Sequence, residues 1–123
     1  MGARINYIFK DSLSEPSVAL YSHWGETDWQ TDIAAALDHA RPRWTDDSYA
    51  TRMMISYLIQ DQLLDQHGFG IYAVNGPNYE LGDATVVVDF IERTIYEVGS
   101  SVKVNWDAFV QAYGPNVLSE QTV

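Results

Sequence analysis

The sequence predicts an α+β domain in which a mostly antiparallel sheet packs on one face against helices. Three observations support this fold class. Apolar and polar residues alternate, as they do in a strand, over residues 3–9 and 17–24. Apolar residues recur at helical spacing over residues 29–40 and 49–64, and strand-like segments return after residue 68. The predicted order is β-β-α-α-β-β-β-α, with two central helices and a short C-terminal helix.

The first part of the chain is predicted to form a hairpin followed by a helix. Residues 10–16 are mostly polar turn formers, which favours a hairpin loop of about six residues. The segment from Thr27 to Gln30 has the form of a capping box, in which the threonine caps a helix and the glutamine reaches back to the cap. We expect this helix to run to about His39, before Pro42 closes it.

A second helix is expected to begin after Thr45. Asp46 and Asp47 would lie beside its positive N-terminal end, where carboxylates are stabilising. Its broad apolar face includes Leu64, and Gly68 is the predicted stop, because a glycine commonly follows the last helical residue.

The second half of the chain is predicted to add three strands and a last helix. The strands are expected at residues 69–74, 84–90 and 94–98. Asn105 has the residue type of an N-cap for a helix over residues 106–113. No repeat or linker divides the chain, so residues 1–115 are expected to form one domain and residues 116–123 a flexible tail.

Composition excludes several classes of function. The 123 residues carry 17 acidic and 7 basic side chains, a net charge of −10, which argues against direct binding of nucleic acid or anionic lipid. Because the chain has no cysteine, thiolate catalysis, disulfides and cysteine-ligated metal sites are excluded. Residues 1–10 lack the features of a signal peptide, and no apolar run reaches the roughly 20 residues of a membrane span. We therefore expect a cytoplasmic protein without a cofactor.

The candidate ligand site lies on the predicted hairpin. If its strands continue symmetrically from the loop, the numbers of paired residues sum to 27, which pairs Arg4 with His23 and Asn6 with Tyr21. These four residues would share the face opposite the apolar one, and we name them the polar strand face. Guanidinium, amide, phenol and imidazole groups together suit a ligand. Two alternatives stay open: ordinary exposed strand residues, or a dimer interface covered by Tyr21 and His23.

A basic concentration near the second helix is a weaker candidate. Arg41, Arg43 and Arg52 could bind an anion at the N-terminus of that helix, where backbone N–H groups point outward. However, Asp46 and Asp47 lie in the same turn, and we expect them to neutralise these arginines.

No metal site is predicted, because the histidines do not have the spacing of metal ligands. Two aspartate pairs lie four residues apart on predicted helix faces, Asp28 with Asp32 and Asp61 with Asp65. Such pairs can bind Mg²⁺ or serve as acid and base. We interpret them as solvated surface carboxylates.

Four segments carry a resemblance to a known group of proteins. They are Met1-Gly-Ala-Arg4, Leu20-Tyr-Ser-His-Trp-Gly-Glu26, Thr51-Arg-Met-Met-Ile55 and Gly68-Phe-Gly-Ile-Tyr72. As a set they resemble small bacteriophage accessory proteins, especially those of actinobacteriophages, over nearly the whole chain. That group has no assigned activity, so the resemblance implies a context and no catalytic residues. It implies a binding protein that acts in the cytoplasm of an infected bacterium.

The sequence thus predicts a non-catalytic binding protein that neutralises a host factor. It would sequester a nucleotide-like signal on the polar strand face or block a host protein through its acidic surface. Two alternatives remain: an acidic mimic of nucleic acid, and a small hydrolase or nuclease that uses His23 with nearby carboxylates. No nucleophile–base pair can be assembled from the spacing. The 4 tryptophans and 8 tyrosines are typical of interfaces and predict a homo-oligomer.

Overall fold

A computed structural model describes residues 4–11, 16–23, 28–75 and 84–114. Within these residues, the strands are β1 (Ile5–Lys10), β2 (Ser17–Ser22), β3 (Phe69–Val74), β4 (Ala84–Asp89), β5 (Thr94–Glu97) and β6 (Val104–Asn105). The helices are α1 (Trp29–His39), α2 (Asp47–Ile59) and α3 (Trp106–Tyr113), with 3₁₀ turns at Arg41–Arg43 and Gln60–Gln62. This content confirms the predicted α+β class.

The strands form one sheet with the order β3-β2-β1-β4-β5-β6. β1 and β2 are antiparallel with Asn6 opposite Tyr21, so the predicted register of the hairpin is confirmed. β1 also pairs in parallel with β4, which places Thr85 opposite Asn6, whereas the other described pairs are antiparallel. Because β1 has a neighbour on each side, it is buried along almost its whole length.

The helices pack on one face of the sheet, as predicted. Side chains alternate along a strand, so Ile5, Tyr7 and Phe9 point to this face while Asn6 and Ile8 point away. α1 is the central helix, since it packs against both α2 and α3. The helical side of this core includes Ile33, Leu37, Met54, Phe109 and Val110. Each fully buried large apolar side chain contributes about 1.5–3 kcal/mol to stability.

The tryptophans that the structure describes belong to this core. Trp106 is 1% exposed and makes edge-to-face contacts with Trp44 and Phe90, with ring centroids 5.1 and 4.9 Å apart. Its indole N–H donates to the carbonyl of Thr94 over 3.1 Å, so its polar atom has a partner. Trp29 is buried against α3. Because these rings pack internally, the three described tryptophans give no support to the predicted homo-oligomer.

The opposite face of the sheet carries a second, smaller apolar cluster. Ile8, Ala19 and Val87 are fully buried there, and Val74 and Tyr96 pack against them. The polar strand face shares this side of the sheet, because Asn6 and Tyr21 alternate with the residues that face the helices.

The second helix is shorter than the sequence predicts. α2 ends at Ile59 and tightens into the 3₁₀ turn, so it does not extend to Gly68. The physical reason is that the apolar pattern continues past the part that meets the core: Leu64, which extends the predicted apolar face, is 93% exposed. The short strand β6 was not predicted, because a strand of two residues is too short to show an alternation of apolar and polar side chains.

The helix starts agree more closely with the sequence. Asp46 caps α2, where its carboxylate accepts from the backbone N–H of Tyr49, and Asn105 caps α3 as predicted. α1 begins with Asp28 at the N-cap position and no side-chain cap bond. Thr27 of the predicted capping box lies outside the described residues, as do residues 116–123. None of the described helices is long and apolar enough to cross a membrane.

Candidate functional site

The polar strand face occupies the side of the sheet away from the helices. Asn6 and Tyr21 are directly opposed. A 2.9 Å hydrogen bond joins the Tyr21 hydroxyl to Nδ1 of His23, and the two rings are tilted with centroids 5.8 Å apart. Arg4 precedes β1 and is exposed. The hairpin therefore brings Tyr21 and His23 into contact, with Asn6 opposite Tyr21.

Asn6 of the polar strand face is hydrogen-bonded within the protein. Asn6 is 3% exposed, and its Oδ1 accepts a 2.6 Å hydrogen bond from the hydroxyl of Tyr72. Sequence reasoning missed Tyr72, although alternation along β3 puts it on the same face as Gly70, the partner of Tyr21. Because Asn6 is enclosed, solvent reaches mainly Arg4 and the half-buried Tyr21 and His23 on this face.

Arg41 is neutralised by carboxylates, but not by the expected ones. Its guanidinium donates to Asp107 over 3.0 Å and to Asp38 over 3.2 Å, and the hydrogen bond to Asp107 is the main reason that its pKa is raised. The expectation that Asp46 and Asp47 neutralise the arginines is wrong for Asp46. Its carboxylate instead accepts from the first turn of α2.

The other two arginines of the predicted anion site have different neighbours. The Arg43 guanidinium lies over the ring of Tyr49, 4.9 Å from its centroid. Arg52 donates to the hydroxyl of Ser56 over 3.3 Å. The contacts described for the three arginines include no shared partner, so they give no convergent anion site.

A cleft opens between the sheet and the helices. Its volume is about 250 Å³, and β1, β2, β3, α1 and the end of α2 contribute to its lining. We name it the acidic cleft, and its lining residues are Tyr7, Ser22, Asp32, Tyr57, Leu58, Gln60, Asp61 and Phe69. The early end of α2 matters here, because the 3₁₀ turn that follows brings Gln60 and Asp61 to the cleft.

Tyr7 is the buried polar group of the acidic cleft. Its side chain comes from the helix-facing side of β1 and is 1% exposed. Burial, and secondarily the nearby carboxylate of Asp32, raise the pKa of the phenol, so it remains neutral at physiological pH. The neutral hydroxyl can donate or accept a hydrogen bond, and a ligand in the cleft that Tyr7 lines would be beside it.

Two carboxylates from different elements lie at the rim of the acidic cleft. Asp32 is in the first turn of α1, and Asp61 is in the 3₁₀ turn after α2. Partial burial, and then the neighbouring Asp28 carboxylate, raise the pKa of Asp32. Both residues still have surface exposed to solvent, as the sequence indicates. Sequence reasoning did not predict that Asp32 and Asp61 line one cleft, because spacing within a helix does not show which helical segments pack together.

His23 is separated from these carboxylates by the sheet. Ser22 lines the acidic cleft, whereas the neighbouring His23 bonds to Tyr21 on the opposite face. The hydrolase alternative needs an imidazole near a carboxylate, and this arrangement does not place His23 beside Asp32 or Asp61. No group of three or more histidine, aspartate or glutamate side chains in the described ranges could hold a metal ion.

No protein-family model, curated protein or solved structure matches this chain. The acidic cleft and the polar strand face are therefore the observations on which a function can rest.

Proposed function

We propose that this chain is a non-catalytic binding protein that holds a small organic cation in the acidic cleft. The observation that carries the proposal is the Tyr7 phenol, which is buried, lines the acidic cleft and lies near the carboxylate of Asp32. A ligand ammonium group donates hydrogen bonds, and a neutral phenol oxygen can accept one. Such a ligand would donate to the Tyr7 hydroxyl and place its positive charge near Asp32.

The remaining lining of the cleft fits the same ligand class. The Asp32 and Asp61 carboxylates only accept hydrogen bonds when ionised, which favours a donor with positive charge. The rings of Tyr57 and Phe69 also line the cleft, and aromatic faces attract ammonium groups. A volume of about 250 Å³ suits a small ligand. The net charge of −10 would draw cations toward the protein at low salt.

The test uses choline and spermidine as probes, with the melting temperature and titration calorimetry as readouts. A ligand that binds only the folded state raises the melting temperature. We expect Asp32→Asn and Asp61→Asn to weaken binding about tenfold each, which corresponds to about 1.4 kcal/mol. Asp65→Asn is the matched control, because this exposed carboxylate lies near Asp61 but does not line the acidic cleft.

A second variant tests the buried phenol itself. Tyr7→Phe keeps the ring and removes the acceptor, so we expect weaker cation binding and an unchanged circular dichroism spectrum without ligand. The proposal is overturned if neither probe binds at millimolar concentration, or if Asp65→Asn weakens binding as much as the rim variants do. Chemical conversion of a bound probe would instead indicate an enzyme.

A second candidate function is the sequestration of a nucleotide-like signal on the polar strand face. The specific observation in its favour is the contact between Tyr21 and His23 at the hairpin end that also carries Arg4. Arginine pairs with phosphate and tyrosine stacks on a base. In that case nucleotides, rather than choline, would raise the melting temperature, and Arg4→Ala or Tyr21→Ala would abolish the shift.

The biological setting is proposed from the resemblance to bacteriophage accessory proteins. In an infected bacterium, either ligand site would serve to withdraw a small host signal, and the acidic surface could instead block a host protein or imitate nucleic acid. Salt-sensitive capture of one host protein, without any shift from small molecules, would favour the blocking role.

A further inference from the structure

We propose that β3 is the surface through which two copies of this chain pair, edge to edge, in an antiparallel dimer. This inference is independent of the ligand proposed for the acidic cleft. It rests on three features of β3: the direction of its backbone groups, its uncharged and exposed side chains, and its match to a second copy of itself.

The direction of the backbone groups follows from the register with β2. The N–H of His23 donates to the carbonyl of Gly68 over 2.9 Å, which makes these residues a hydrogen-bonded pair. Alternate residues in an antiparallel pair point their backbone groups to opposite sides. The backbone N–H and C=O groups of Gly70, Tyr72 and Val74 therefore point to β2. The backbone groups of the residues between them point away from β2.

The free edge of the sheet is formed by the residues whose backbone N–H and C=O groups point away from β2, namely Phe69, Ile71 and Ala73. Among the described strands β3 has β2 as its neighbour on one side and none on the other. Ile71 is 60% exposed and Ala73 is exposed as well, so the edge is open to an approaching strand.

β3 lacks the features that normally keep an edge strand from pairing. Natural edges use lysine, proline, inward charges or bulges for this purpose. The sequence of β3, Phe-Gly-Ile-Tyr-Ala-Val, contains no charge and no proline, and its pairing with β2 runs through six consecutive residues without a bulge. An apolar groove of about 340 Å³ beside it is lined in part by Phe9, Val18, Ile55 and Ile71.

A second copy fits this edge better than an arbitrary partner. An antiparallel pair centred on Ile71 places Ile71 opposite its own copy and Phe69 opposite Ala73, so every outward N–H and C=O of the free edge finds a partner. Such a contact is self-complementary, as a two-fold dimer requires. Two chains of charge −10 repel each other. Because β3 contains no acidic residue, a contact between two β3 strands places no β3 carboxylate at the interface.

The test measures the molar mass of the purified full chain by light scattering between micromolar and millimolar concentration. We expect twice the chain mass at the upper end. Ile71→Lys places two like charges face to face at the dimer axis and should weaken association at least tenfold. The matched control is Val102→Lys, which adds the same charge at an apolar side chain 65% exposed and remote in sequence from β3.

A backbone variant separates strand pairing from simple apolar contact. Ala73→Pro removes one outward N–H and no bond to β2, so the monomer should keep its circular dichroism spectrum while the dimer weakens. Backbone amides of the free edge should exchange slowly with deuterium only at dimer concentrations. The proposal is overturned if the chain stays monomeric at millimolar concentration, or if Ile71→Lys and Ala73→Pro dimerise like the original chain.

Discussion

The hydroxyl of Tyr72 donates a 2.6 Å hydrogen bond to Oδ1 of Asn6 and so links the edge strand β3 to the central strand β1. The strand between them, β2, places Ala19 opposite Tyr72. Because alanine has a short side chain, the tyrosine ring can extend across β2 to the asparagine. This bond fixes the middle of the edge strand to a residue that is almost fully buried.

Tyr72→Phe is therefore expected to destabilise the protein. The substitution keeps the ring and removes the donor, which leaves the buried Asn6 carbonyl without this partner. We expect a loss of about 1–3 kcal/mol in the free energy of unfolding, measured by urea denaturation. Tyr113→Phe is the control, because Tyr113 is 44% exposed, and it should change stability by less than about 0.5 kcal/mol. Equal effects of the two variants would contradict the stabilising role of the bond.

The two helix caps should differ in strength. Oδ1 of Asn105 accepts from the N–H of Ala108 over 2.8 Å, whereas Oδ1 of Asp46 accepts from the N–H of Tyr49 over 3.4 Å. A shorter bond satisfies the end of the helix better, so Asn105→Ala should cost about 1–2 kcal/mol and Asp46→Ala about half as much. Thermal and urea unfolding of both variants measure the difference. A larger loss for Asp46→Ala would show that the charge beside α2 outweighs bond length.

The local features of the fold could be predicted from the sequence. The register of the hairpin, the bounds of α3 and its Asn105 cap follow from alternation, helical spacing and residue type within short segments. Alternation alone also places Asn6 and Tyr21 on one face. These features depend on neighbours along the chain, so a single sequence contains the information.

The parts that could not be predicted depend on contacts between distant segments. The burial of Asn6 follows from the reach of Tyr72, which requires the order of the strands. The acidic cleft requires Asp32 and Asp61 to lie along the same opening, and this depends on how α1 packs against α2 and on where α2 ends. Leu64 extends the apolar pattern of α2 without reaching the core, so the pattern overestimates the helix.

Asp89 should be the most sensitive carboxylate in the described sheet. It is 1% exposed, and its Oδ1 accepts from the N–H groups of Ile91 and Glu92 over 2.8 and 3.0 Å. Lys10 lies 3.8 Å from the other carboxylate oxygen. Asp89→Ala leaves both N–H groups of the turn without this acceptor and should cost about 3 kcal/mol.

The matched variant at this position is Asp89→Asn. It keeps an oxygen for the turn but removes the charge that faces Lys10, so we expect a loss of about 1 kcal/mol, measured by urea denaturation. If Asn and Ala variants lose the same stability, the ion pair rather than the turn is the main contribution of Asp89.

The raised pKa of Asp32 gives stability a pH dependence whose sign can be worked out. An unfolded aspartate has a pKa near 3.9. Because partial burial, and then Asp28, raise the pKa of Asp32 in the folded state, the folded chain holds its proton to a higher pH than the unfolded chain. The contribution of Asp32 to the free energy of unfolding therefore falls as pH rises from about 4 through the folded pKa.

Asp32→Asn removes the fall in the free energy of unfolding that ionisation of Asp32 causes. The effect of the substitution on stability should therefore depend on pH. At pH 7 we expect the variant to be more stable than the original chain by roughly a few tenths of a kcal/mol, since solvent screens an exposed carboxylate. Below about pH 4 the difference should vanish, because the carboxyl is then protonated in both states. Urea denaturation at pH 4 and pH 7 measures this. Asp107→Asn is the control with the opposite sign, because Asp107 accepts from Arg41 over 3.0 Å and its loss should destabilise at pH 7.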